Sequence, residues 1–80
     1  MNDPRLVKRA IRELLSAAPT RWFTEQMLRN ALNMGLLPQE LKVPELQEAI
    51  AQLHERNLLE SRHDPELEEV VWRVTGKGIA

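Results

Sequence analysis

The chain has 80 residues, 42% hydrophobic and 29% charged, with a formal net charge of −1 and no cysteine. So short a chain holds one small core, and without cysteine there is no disulfide framework, thiolate metal site or thiol nucleophile, which points to an intracellular, cytoplasmic setting. No apolar run exceeds three residues, far short of the roughly 20 needed to span a bilayer, and Met1-Asn2-Asp3-Pro4 does not open a signal peptide, so no membrane association is expected.

Periodicity predicts a first helix over about 4–17. Asp3 can cap it, and Pro4 fits the first helical position, where a missing N–H is harmless. Val7, Ile11, Leu14, Leu15 and Ala18 recur on one side and Arg5, Lys8, Arg9 and Arg12 on the other; Pro19 ends the run. Residues 20–23 read as a brief extended piece. Thr24 suits the N-cap of a second helix over about 24–34, with Met27, Leu28, Ala31 and Leu32 inward and Gly35 as the stop after Asn33. A greasy connector follows, containing Leu36, Leu37 and Leu41, in which Pro38 can open one extra turn. These leucines either complete the core or offer an anchor to a partner.

A third helix is predicted over about 44–56, with Leu46, Ala49, Ile50 and Leu53 inward. Glu45, Glu48, Gln52 and Glu55 are expected to share its outer stripe, with Gln47, Ala51 and His54 beside it. Asn57 suits a left-handed stop. The period then changes to two, and residues 58–75 read as a hairpin with its tip at His63-Asp64-Pro65-Glu66. In its second strand Val70, Trp72 and Val74 point one way and Val71, Arg73 and Thr75 the other. Gly76-Lys77-Gly78 reads as a frayed tail. No repeat or linker divides the chain, so one domain over 1–80 is expected.

The order helix, short strand, helix, helix, strand, tip, strand resembles a winged helix-turn-helix domain. Trp22-Phe23-Thr24 followed by Leu28 is similar to the family's short strand entering the second helix. Leu46 to Leu53 followed by Asn57-Leu58-Leu59 resembles its third helix and exit, with Asn57 where the family often has glycine. Trp72-Arg73-Val74-Thr75-Gly76-Lys77-Gly78 resembles the aromatic-x-apolar-Thr-x-x-Gly ending of many bacterial winged-helix regulators. The resemblance spans Pro4 to Gly78 and implies an α+β fold: a three-helix bundle, a short strand after the first helix, and a C-terminal two-stranded β-hairpin, the wing. It also implies DNA contact by the outer face of residues 43–52 and by the tip at 63–66.

Nothing in the chain converges on catalysis. Tyrosine is absent, Ser16 and Ser61 lack a nucleophile setting, and Gly76-Lys77-Gly78 lacks the following helix of a phosphate loop. His54 and His63 have no metal-ligand spacing. The reading is therefore a non-enzymatic module without cofactor or metal.

Charge decides between binding partners. The net charge is +3 over residues 1–39, −6 over 40–69 and +2 over 70–80, and from Val43 to Glu69 there are eight acids and two bases. DNA affinity comes largely from cations on phosphates, so an acidic third helix and wing disfavour the usual major-groove docking. The favoured expectation is a protein-interaction module in which Glu45, Glu48, Gln52 and Glu55 meet a basic partner or, in self-association, the basic first helix of a second copy. The alternative is a DNA-binding transcriptional regulator. Gln47 would then read adenine while Lys42, Arg62 and Arg73 hold phosphates, or the first-helix stripe Arg5, Lys8, Arg9 and Arg12 would face the nucleic acid.

Overall fold

The computed structural model describes residues 1–79; Ala80, the last residue of the expected domain, lies outside them. The first helix, α1 (Pro4–Ser16), starts at Asp3, whose Oδ1 accepts the Arg5 backbone N–H at 2.9 Å. That bond, then the Arg5 guanidinium beside it, holds the Asp3 carboxyl below its ordinary value of 3.8. Strand β1 (Phe23–Thr24) runs directly into α2 (Glu25–Leu32), capped by Thr24 Oγ1, which accepts from Met27 N at 3.1 Å. Helix α3 (Val43–Glu55) follows Lys42 without a side-chain cap. Strands β2 (Leu59–Asp64) and β3 (Glu69–Val74) form the hairpin.

Two boundaries depart from expectation. The second helix stops at Leu32, and residues 33–39 are turns and bends, so Pro38 opens no helical turn. Side chains replace helical bonding there. Asn33 Oδ1 accepts from Leu41 N at 2.7 Å, and Asn2 bonds to the same connector, its Nδ2 donating to Gln39 O at 3.0 Å and its Oδ1 accepting from Gln39 N at 3.2 Å. Asn2 is only 3% exposed, a burial that polar side chains tolerate when so bonded. The connector leucines divide: Leu41 enters the core, Leu37 packs against it and Leu36 stays exposed.

The core is one cluster built from Val7, Ile11 and Leu15 of α1, Leu28 and Leu32 of α2, Leu46, Ile50 and Leu53 of α3, and Phe23, Leu59 and Val74 of the sheet. Burying each of these large side chains contributes about 1.5–3 kcal/mol. The sheet is antiparallel with β3 central, in the order β1-β3-β2, and Phe23 pairs with Trp72 and Leu59 with Val74. The strand alternation holds in direction but not in burial. Val70 faces the same way as Trp72 yet is 46% exposed, because it sits past the end of β1, opposite His63. Val71 faces away from the helices yet is buried.

The expected frayed tail is a correction. Thr75 N donates to Leu58 O at 3.0 Å, Thr75 Oγ1 donates to Asn57 O at 2.7 Å and accepts from Gly78 N at 3.1 Å. Gly78 O in turn accepts Arg12 Nε at 3.0 Å. Gly78 is buried, and a Cβ there would lie 2.0 Å from the Leu58 carbonyl oxygen. Glycine is required by space rather than by a backbone angle. The spacing Thr75-x-x-Gly78 thus folds the tail over the exit of α3, where Asn57 takes a left-handed φ of 60°.

Two outcomes test these ties. Gly78→Ala should lower unfolding stability by about 1–3 kcal/mol in urea titrations, whereas Gly76→Ala, with no atom near its Cβ, should change it little. The Asp3 cap acts as a carboxylate whose folded-state value is depressed, so its stabilisation is present above its ordinary value and disappears as pH falls through the depressed one. The gap in melting temperature between wild type and Asp3→Ala should therefore be largest near neutral pH and close in strong acid.

Candidate nucleic-acid interface

Helix α3 is held between α1 on one side and the hairpin on the other, and this sorts its polar side chains. Positions 47, 51 and 54 fall on one stripe and 45, 48 and 52 on another. His54 meets Trp72 of β3 edge to face, with ring centroids 5.3 Å apart, so the Gln47 stripe is the one beside the hairpin. An open, mostly apolar cleft of about 420 Å³ separates them, lined by Gln47, Ile50, Ala51, Val70 and Trp72 together with two carboxylates, Glu25 and Glu69.

The other stripe turns toward α1. Glu45 is half-buried and accepts from Asn2 N at 3.3 Å and Asn2 Nδ2 at 3.4 Å. Gln52, also half-buried, accepts Lys8 Nζ at 3.0 Å and donates through Nε2 to Glu48 Oε1 at 3.3 Å. Glu45, Glu48, Gln52 and Glu55 do share one stripe, but the expectation that it faces outward throughout is corrected, since Glu45 and Gln52 are half-buried. Only Glu48 and Glu55 are exposed, and Glu48 leans toward α1. The physical reason is that α1 and the segment before it supply donors, Lys8 and Asn2, along that side of α3.

The expected nucleic-acid residues fall into separate places. On α1, Arg5 pairs with Asp3 at 3.3 Å, Arg9 with Glu13 at 3.1 Å, Lys8 with Gln52 and Arg12 with Gly78 O. These four, with Arg56, surround a second open cleft on the far side of α3, floored by Leu53 and Leu58. Lys42 sits at the start of α3 and pairs loosely with Glu40 at 3.8 Å. Arg62 and Arg73 lie on the sheet face turned away from the helices, and both guanidiniums pack over Trp22, at 4.6 Å and 4.4 Å from its ring centroid. Arg73 also pairs with Glu60. Arg62 and Arg73 therefore do not flank Gln47, because strand alternation puts them on the opposite face from Trp72.

Trp22 is the side chain whose role escapes a one-dimensional reading. Register places it opposite Arg73, next to the Thr24–Val71 pair, so its indole lies on the sheet face that carries buried Val71. At the hairpin tip, Asp64 Oδ1 accepts from Glu66 N at 2.9 Å and Leu67 N at 3.2 Å, closing the turn, and Glu68 takes a left-handed φ of 55°.

Compared with solved structures, the chain matches ZitR of Lactococcus lactis in a cysteine-to-serine mutant with a TM-score of 0.69 at 18% identity, over 94% of this chain. The fold is a winged helix. A double mutant of the same protein and its apo form each match with a TM-score of 0.68, also at 18% identity and over 94% of this chain. The chain spans 44% to 49% of the length of those proteins. No protein-family model and no curated protein sequence matches it. In this winged helix α2 and α3 form the helix-turn-helix pair and β2–β3 the wing. Among the described residues no helix is long and apolar enough to cross a membrane.

Removing the indole should loosen both arginines. Trp22→Ala is expected to lower stability by about 1–3 kcal/mol, while Trp22→Phe, which keeps a ring, should retain most of it. Urea midpoints of the two variants are the measurement. Equal losses would show that the ring face does not hold the guanidiniums.

Proposed function

We propose that this winged helix binds duplex DNA, with α3 in the major groove and Gln47 as its base-reading side chain. The observation that supports this is the division of α3: Glu45 bonds to Asn2 and Glu48 bonds to Gln52 on the side that faces α1, while Gln47 and Ala51 line the open cleft beside the wing. A glutamine amide matches the N6/N7 edge of adenine, and a small apolar side chain accommodates a thymine methyl group. Glu45 and Glu48 thus stand on a different side of α3 from Gln47. ZitR of Lactococcus lactis shares this winged-helix fold.

Phosphate contact in this mode falls to few cations. Lys42 stands at the start of α3, and Arg29 of α2 lines a small concavity with Glu25, Gln26 and Val43. With about two phosphates neutralised, the logarithm of the binding constant should fall with the logarithm of salt at a slope of about −2. Selection from a random duplex library, followed by anisotropy titration in roughly 20 mM salt, should yield a site with adenine at one fixed position. Gln47→Ala should lower affinity for that site by about tenfold and flatten the preference there, whereas Lys42→Ala should weaken all sequences alike. Absence of duplex binding at low salt overturns the reading.

A further inference from the structure

DNA reading by α3 leaves the two strongest charge features of the surface unused. One is the cleft bounded by Arg5, Lys8, Arg9, Arg12 and Arg56, which has a single carboxylate, Glu13, in its wall and an apolar floor of Leu53 and Leu58. The other is the wing tip, where residues 64–69 hold four carboxylates and no base, with Leu67 54% exposed at their centre. An acidic tip is unsuited to the DNA backbone. Its chain conformation is also unfavourable, since Glu68 holds a positive φ that glycine or asparagine would adopt more readily.

We propose that the two surfaces are complementary halves of one contact: the wing tip of one copy seats in the basic cleft of a second copy, head to tail. Each half has the same plan with opposite sign, an apolar centre ringed by charge. Leu67 faces the cleft floor at partly open Leu58, and Glu66 and Glu68 meet Arg9 and Arg56. A copy cannot fill its own cleft. Leu58 in the cleft floor directly precedes β2, and the tip lies at the far end of that strand, roughly 20 Å away for six extended residues. The cleft at the hairpin root and the tip at its far end therefore join different molecules. Because the contact is heterologous, each copy keeps one free tip or one free cleft, and association continues into rings or chains unless the rotation closes early.

The test is sedimentation velocity over a concentration series without nucleic acid, which keeps this proposal separate from DNA binding. The wild type should gain mass with concentration at roughly 20 mM salt and return to monomer at about 0.3 M, where screening is far stronger. Two charge reversals isolate the halves: Arg9→Glu with Arg56→Glu in the cleft, and Glu66→Lys with Glu68→Lys on the tip. Asp64 is left intact because its carboxylate closes the turn. Each reversed protein alone should be monomeric, and an equimolar mixture should associate again, since each then offers a tip that suits the other's cleft. If a reversal does not fold, as judged by circular dichroism, glutamine at the same positions should still abolish association of the pure protein.

A wild type that stays monomeric at low salt, or a mixture of folded reversals that does not reassociate, overturns the proposal. So does association that survives either reversal alone. Loss of duplex binding by the cleft reversal, from a wild type that stays monomeric, would assign the cleft to phosphate and equally overturn it.

Discussion

A two-residue strand holds this molecule together. Phe23 and Thr24 pair with Trp72 and Val71, turning a two-stranded hairpin, marginal alone in water, into a three-stranded sheet attached to the helices. Because β3 is central, its register is set from both sides, and a one-residue slip would carry Trp72 and Val74 off the core. The placement of α3 follows from that register. Trp72 meets His54, which directs one stripe of the helix to the wing and the other to α1. The same register brings Trp22 opposite Arg73 and so fixes both arginines on the outer face.

The tail is a second closure on the same scaffold. Thr75 bonds to both residues that leave α3, and Gly78 rests on the Leu58 carbonyl while its own carbonyl takes the Arg12 side chain. Four residues thus connect the end of β3, the exit of α3 and the middle of α1. A small domain has little core to spare, and such polar ties compensate where apolar burial is limited. Asn2 does comparable work at the other end, bonding the N-terminal segment to the connector and to Glu45.

Electrostatics here is a matter of placement more than of total. Helix α3 is acidic by composition, yet its carboxylates are distributed by the donors around it: Asn2 draws Glu45, and Lys8 acts through Gln52 on the side where Glu48 leans. The bases of α1 are likewise spoken for by short bonds that hold them around the cleft without neutralising it. The result is a mostly apolar α3–wing cleft whose charged lining residues are Glu25 and Glu69, a basic recess behind it and an acidic tip. A net charge of −1 contains no trace of that division.

What could be read in one dimension was whatever depends on neighbours in the chain. The caps at Asp3 and Thr24, the inward periodicity of Val7 to Leu15 and of Leu46 to Leu53, the left-handed stop at Asn57, and the order of elements are all local, because a cap reaches two or three residues and a helix face repeats every turn. These carried the α+β fold. Only the tertiary structure decided what depends on partners far away in sequence. Asn2 is buried because residue 39 returns to it, Gly78 is fixed because Leu58 lies beneath it, and Arg62 and Gln47 part company because a sheet has two faces. The acidic stripe was legible as residues but not as a surface: a helix's periodicity marks its buried face, whereas which of its polar sides stays open is set by the elements packed against it.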